Sequence, residues 1–228
     1  CRNTGSVNAT FPTTLAGHAG GLVGNAVSSS KSPANQILNC YNTGNVTNLA
    51  TGTTSHNIGG LIGYLGASSS AGGKNVVKNC FSTGTVTASG SANCGALIGR
   101  LYANYGTREN LYYLTGTAAK GIGSVPSGAT DNCIVKTAAE FASKDFVTLL
   151  NTNSGSESTV FTAGTDHPLL AWEADAPAAT LGDIDGDGEV TPLDAAMVYA
   201  ISMQEYAASD LQQQAADVDG DGEVTPLD

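Results

Sequence analysis

Apolar residues in the first half of the chain come in short clusters, each closed by Gly, Asn, Ser or Thr, and the clusters recur. Cys1–Val7 (CRNTGSV), Cys40–Val46 (CYNTGNV) and Cys80–Val86 (CFSTGTV) align without a gap, at steps of 39 and 40 residues. Between them lies a second element: GGLVG from Gly20, GGLIG from Gly59 and GALIG from Gly95. Asn39 and Asn79 precede two of the cysteines, and Asn110 precedes Leu111, where a degenerate fourth copy (LYYLTG) starts. Each unit predicts three short extended segments separated by turns.

Strands this short cannot bury a face alone, so unit must stack on unit. A parallel β-solenoid of ~40-residue repeats sets equivalent residues about 4.8 Å apart in adjacent coils. It predicts inward ladders of Cys, Val and the Leu–Ile pairs, with Asn and Thr-Gly at the corners. A meander of antiparallel hairpins does not explain why whole units recur with their turn residues in register. The variable stretches SSSKSPANQ and ASSSAGGKN are then loops at one corner. Cys1, Cys40, Cys80, Cys94 and Cys133 show no CxxC spacing. They read as small buried hydrophobes, not as a zinc site or a redox pair.

From Lys136 the pattern changes. KTAAEFASKDFVTLLNT sets Phe141, Phe146, Leu149 and Leu150 at helical spacing behind a Thr137-x-x-Glu140 start. DHPLLAWE then predicts a short apolar strand. Residues 130–176 are expected to form a small α+β closing module, with Trp172 packed beneath its helix.

The repeats closely resemble the GLUG repeat family, whose GGLIG and NCY-x-TG-x-V stand nearly intact over about residues 1–116. The resemblance implies a β-solenoid of a secreted or surface-attached bacterial protein, adhesive or structural and without shared catalytic activity. The KTxxE…F…LLN…PLLxW stretch is similar to tails found after GLUG repeats. The expected organisation is mainly β: repeats over 1–129, the closing module over 130–176, and a small α-helical tail over 177–228.

Charge divides the chain further. Residues 1–108 contain no Asp or Glu against six bases, Arg2, Lys31, Lys74, Lys78, Arg100 and Arg108. Residues 181–228 contain twelve acids and no Lys, Arg or His. Bases this sparse, without interleaved stacking aromatics, argue against nucleic acid as partner. No apolar run reaches the ~20 residues of a membrane span. Cys1 falls inside a repeat unit and the chain stops on Asp228, so both ends are expected to continue in a longer polypeptide.

The acids of the tail are patterned. Asp183, Asp185 and Asp187 fit positions 1, 3 and 5 of a twelve-residue calcium loop, with Gly188 at the sharp turn. The backbone carbonyl of Glu189 fits position 7, and Asp194 stands at position 12. The pattern returns 34 residues later as Asp217, Asp219, Asp221, Glu223 through its carbonyl, and Asp228, so two Ca2+ ions are expected. Val190 and Val224 are expected to pair between the loops. Thr191, Pro192 and Asp194 read as the start of a helix that sets Leu193, Met197 and Ile201 on one face. Ser209 and Gln212 frame a shorter helix carrying Leu211.

A calcium loop and following helix, repeated at this step with Asp at position 12, resembles a dockerin from Leu181 to the end. The resemblance implies a cohesin on a scaffolding protein as partner. It assigns the contact to loop positions 10 and 11, here Pro192-Leu193 and Pro226-Leu227, an apolar pair in place of the often-seen hydroxyls. Identical pairs allow two binding orientations. The chain stops before the helix that would come after the second loop.

Catalysis is not expected. Glycoside hydrolysis needs two carboxyl groups facing one bond, and the repeats supply none before Glu109. No G-x-S-x-G elbow is present. His18, His56 and His167 pair with no Cys or Ser at a recognisable spacing and read as turn or surface residues. The expectation is a non-catalytic extracellular bacterial protein, structural or adhesive, attached through calcium-dependent docking to a cohesin on a scaffold or cell surface. Two alternatives stand beside it: a self-assembling filament subunit stiffened by calcium, and the ancillary part of a polysaccharide-degrading enzyme whose catalytic domain lies upstream. A cell-wall or plant polysaccharide as ligand of the repeats stays open.

Overall fold

The computed structural model describes residues 1–11, 15–28, 35–50, 55–67, 75–89, 92–102, 106–174, 180–220, 222–226 and 228. It forms two units, Cys1–Ala171 and Trp172–Asp228. The first is mainly β, built from several parallel sheets with few helices, and no barrel closes among the described residues. Most of the two long serine-rich loop stretches, residues 29–34 and 68–74, lies outside the described residues.

The sequence period becomes strand register. In one sheet Arg2–Asn3, Tyr41–Asn42, Val76–Ser82, Thr107–Leu114 and Ile134–Lys136 succeed one another in parallel, with Tyr41 opposite Phe81, Phe81 opposite Tyr112 and Tyr112 opposite Ile134. A second sheet sets Val7, Val46 and Val86 in one row. A third pairs His18–Gly20, Asn57–Gly59 and Asn93–Gly95. The fourth pairs Val23–Ser28, Ile62–Ala67, Ile98–Leu101 and Ile122–Ser124. The degenerate copy at Leu111 therefore stays in register. Ile134–Lys136 adds a rung that the motif does not announce.

The three extended segments expected per unit become four strands, because GGLIG bends at its second glycine and splits one segment between the third and fourth sheets. The bend brings backbones together: a Cβ on Gly63 would lie 2.6 Å from the Ala19 nitrogen, so only glycine fits there. Leu61, Ile62, Leu97 and Ile98 fill the interior with Cys40, Cys80 and Leu111. Leu111 lies opposite Cys80 and continues the row, but only Cys40 and Cys80 are the buried hydrophobes expected: Cys94 and Cys133 are partly buried, and Cys1, at the outermost rung, is exposed.

A second core lies on the other face of the first sheet. Tyr41 and Phe81 stack at 4.8 Å with rings 1° from parallel, and Phe141, Phe146, Leu150 and Phe161 cover this row together with Tyr112. The covering helices are α1 (Ala138–Phe141) and α2 (Lys144–Thr152). The single helix expected here breaks after Phe141, because Ser143 caps a new start by accepting the Phe146 N–H. Leu149 stays exposed as a result. Thr137 and Glu140 form the expected capping box.

Asn39, Asn79 and Asn110 occupy the corner before the aromatic row at φ of 54°, 54° and 53°. Asparagine tolerates this left-handed backbone because its short polar side chain bonds locally. Asn79 Nδ2 donates to Asn39 Oδ1 at 2.6 Å and to the Leu150 carbonyl at 2.9 Å, and Asn39 Nδ2 donates to the Ser154 carbonyl at 3.1 Å. The column thereby satisfies a carbonyl that the end of α2 leaves without a helical partner.

Expectations about Trp172 and His56 also fail. Trp172, on α3 (Ala171–Ala174), is 57% exposed and not packed beneath a helix; the aromatic core is filled by Phe141, Phe146 and Phe161 instead. His56 is 1% exposed, stacked on Phe11 and accepting the Gly17 N–H, so it is a core residue and not a surface one.

The second unit contains α4 (Pro192–Ser202) and α5 (Asp210–Ala216). Its core is small: Ile184, Val198, Ile201, Ala215 and Ala216, with Met197 and Val224 packed against it. Leu193, expected beside Met197 and Ile201, is 60% exposed, because Asp194 and Val198 occupy the inward positions. No helix among the described residues is long and apolar enough to cross a membrane.

Candidate metal centre

The two acidic loops fold by the same local rule. Gly186 and Gly188 sit at φ of 78° and 93°, and Gly220 and Gly222 at 76° and 91°, so the backbone turns tightly enough to aim successive N–H groups inward. Carboxylates accept them. Asp183 takes the Gly186 N–H at 2.8 Å and the Gly188 N–H at 3.0 Å, Asp185 takes that of Asp187 at 3.1 Å, and Asp187 takes that of Glu189 at 2.8 Å. In the second loop Asp217 takes the Gly222 N–H at 3.0 Å.

Position 12 closes each loop onto its own start. Asp194 Oδ1 accepts the N–H groups of Ile184 at 2.8 Å and Asp185 at 3.2 Å. Its Oδ2 accepts the Thr191 N–H at 2.8 Å and the Thr191 hydroxyl at 2.9 Å, completing the capping box of α4. Asp228 repeats this with Val218, Asp219 and Thr225 at 3.1, 3.4 and 2.7 Å. The Thr191 N–H, with those of Asp185 and Ile184, depresses the Asp194 carboxyl to about 2. The Thr225 N–H, before those of Asp219 and Val218, lowers that of Asp228.

These bonds gather charge. Oxygens of Asp183, Asp185 and Asp187 lie within 4.8 Å of one another, as do those of Asp217, Asp219 and Asp228. No Lys, Arg or His stands in residues 181–228 to offset them. Asp217 Oδ1 is buried without a hydrogen-bond partner. An all-oxygen donor set with an unsatisfied buried oxygen fits a hard divalent cation taking six to eight oxygens.

The other expected residues are divided between exposed positions and undescribed ones. The Glu189 and Glu223 side chains are exposed, which leaves only their carbonyls for the loop, and Pro192 and Pro226 are exposed. Asp221 and Leu227 lie outside the described residues. Val190 and Val224 do not pair: Val190 is 66% exposed while Val224 packs on the core, and no backbone hydrogen bond joins them. Gln212 does more than its spacing implies. It completes the capping box of α5, and its Nε2 also donates to the Ile184 carbonyl at 3.2 Å, tying α5 to the first loop.

Residues 181–228 match the Dockerin type I domain family. A dockerin implies calcium binding and calcium-dependent attachment to a cohesin. No curated protein and no solved structure matches the chain.

Proposed function

We propose that the chain is a non-catalytic structural or adhesive protein of the bacterial cell exterior, held to a cohesin-bearing scaffold or surface by its calcium-loaded tail. The repeats are read as a GLUG-type β-solenoid, a reading supported by parallel rungs that track the motif copies in register. Two ions are assigned. One takes Asp183, Asp185, Asp187, Asp194 and the Glu189 carbonyl, and the other Asp217, Asp219, Asp221, Asp228 and the Glu223 carbonyl. Calcium supplies the positive charge that lets these carboxylates converge, and so fixes the attitude of α4. Pro192 and Leu193, exposed at its start, are the apolar contact offered to the cohesin, with Pro226 and Leu227 as the second copy.

One observation carries this reading: two triads of aspartate oxygens, at positions 1, 3 and 5 of the first loop and 1, 3 and 12 of the second, within a segment that matches a dockerin. The test is calorimetric titration of calcium into the full chain, then capture on a panel of immobilised cohesins with calcium or with chelator. Two bound ions and calcium-dependent capture are expected. A chain that binds no calcium, or is captured equally well in chelator, overturns the reading.

A further inference from the structure

A second surface feature belongs to the body and owes nothing to the acidic loops. Along the third sheet, Asn93 Nδ2 donates to Asn57 Oδ1 at 2.7 Å. Asn57 Nδ2 in turn contacts His18 Nδ1 at 2.8 Å. An amide nitrogen can only donate, so His18 Nδ1 accepts and the ring proton sits on Nε2. The His18 ring stacks on Tyr64 at 4.8 Å, Tyr64 meets Tyr102 at 5.8 Å, and the Arg100 guanidinium lies 5.8 Å from the Tyr102 ring centre. Arg100 is opposite Tyr64 in strand register, so the row is fixed by the sheets beneath it.

The two phenols and the guanidinium fork present hydrogen-bond donors, while the imidazole hydrogen-bonds the Gly17 backbone. Burial raises the Tyr64 phenol and lowers the His18 imidazole, so the phenol stays protonated and the ring neutral near pH 7. Among the described residues no carboxylate answers Arg100. Residues 1–108 contain none, and Glu109 pairs with Lys78 at 2.8 Å. His18, Tyr64 and Arg100 are half-buried and Tyr102 is exposed, so the donors reach solvent from a rigid row.

We propose that this row binds an acidic polysaccharide, with Arg100 taking the sugar carboxylate and Tyr64 and Tyr102 its neighbouring hydroxyls, and His18 holding the Tyr64 ring by stacking. Charge complementarity selects a uronate chain over a neutral glucan. Adjacent coils spaced about 4.8 Å apart offer contacts along an extended polymer and not to a single small anion.

The test measures binding of the full chain to polygalacturonate and to a neutral glucan, in chelator so that calcium on the tail cannot bridge carboxylates. Polygalacturonate is expected to bind, more weakly as salt rises, and the glucan not. Arg100→Gln is expected to weaken binding about tenfold or more, with an unchanged melting curve. Should that variant fail to fold, Tyr102→Ala removes an exposed ring instead, with loss of binding again expected. Equal affinity for the two polymers, no binding to either, or full binding by a folded variant overturns the proposal.

Discussion

Residues 1–108 hold together without one carboxylate, whereas residues 181–228 gather twelve and no Lys, Arg or His. The body gains its order from apolar and aromatic rows that lie in register because the sequence repeats. The tail gains its order from carboxylates accepting backbone N–H groups, and its apolar core is five small or medium side chains. The first arrangement brings no like charges together. The second leaves like charges within 4.8 Å of one another and a buried Asp217 oxygen unsatisfied, so it depends on something the chain does not carry. The body is thus expected to be stable without added ions, and the tail to depend on them.

The largest separation of the two parts comes from the aromatic core. Phe81 is fully buried between Tyr41 and the rings from α1 and α2, so Phe81→Ala is expected to destabilise the body by about 3–5 kcal/mol. Calorimetric unfolding checks this, and calcium titration of the same variant is expected to be unchanged. A change in calcium affinity would mean that the two parts are not independent. The reverse experiment removes the ion. Chelator is expected to cost the tail about 2.7 kcal/mol for each ion lost, relative to calcium at a hundredfold excess over its Kd, with the body's transition unmoved. Hydrogen exchange of residues 183–194 against that of the sheets checks it. Equal protection of the loops with and without calcium would show that the tail, too, is self-sufficient.

Asn79→Ala tests the corner at smaller scale. Alanine loses both the amide that reaches Leu150 and the tolerance for φ of 54°, at an expected cost of about 1–2 kcal/mol to the body. Asn79→Gly keeps the backbone freedom and loses only the amide, so its cost is expected to be the lesser. If glycine proves as damaging as alanine, the amide bond and not the backbone conformation holds the corner.

Legibility in the sequence divides along the same line. Register can be read because Cys-x-x-Thr-Gly-x-Val fixes both the inward residue and the corner after it, and the two acidic loops can be read because Asp and Gly recur at the same offsets in each. The aromatic core cannot. Tyr41, Phe81 and Tyr112 each come directly after an inward residue, and strand alternation sends such neighbours to the far face, which a solitary stack would leave wet. The helices that cover that face come some thirty to one hundred residues later, and no local pattern announces them. Trp172, His56 and Leu193 depart from expectation for the same reason. Burial at these positions is decided by which distant element arrives, and Phe161, Phe11 and Val198 take the places expected of other contacts or for solvent.

The smallest effect compares like with like. Thr137 and Thr191 each open a helix through a capping box, one in each part. An alanine at either site removes a cap worth about 1 kcal/mol. The partner of Thr137 is Glu140, an exposed carboxylate whose further contact is Lys136 at 3.3 Å. The partner of Thr191 is Asp194, which also accepts from Ile184 and Asp185 and is assigned to the ion. Thr137→Ala is therefore expected to lower the body's transition by the same amount in calcium and in chelator. Thr191→Ala is expected to lower the tail's transition in chelator and also to weaken calcium, because Asp194 loses the Thr191 hydroxyl, one of the four donors that orient it. Thermal unfolding of both variants in both conditions reads the four values. If Thr191→Ala is as indifferent to calcium as Thr137→Ala, then Asp194 serves the helix alone and the first ion is held without it.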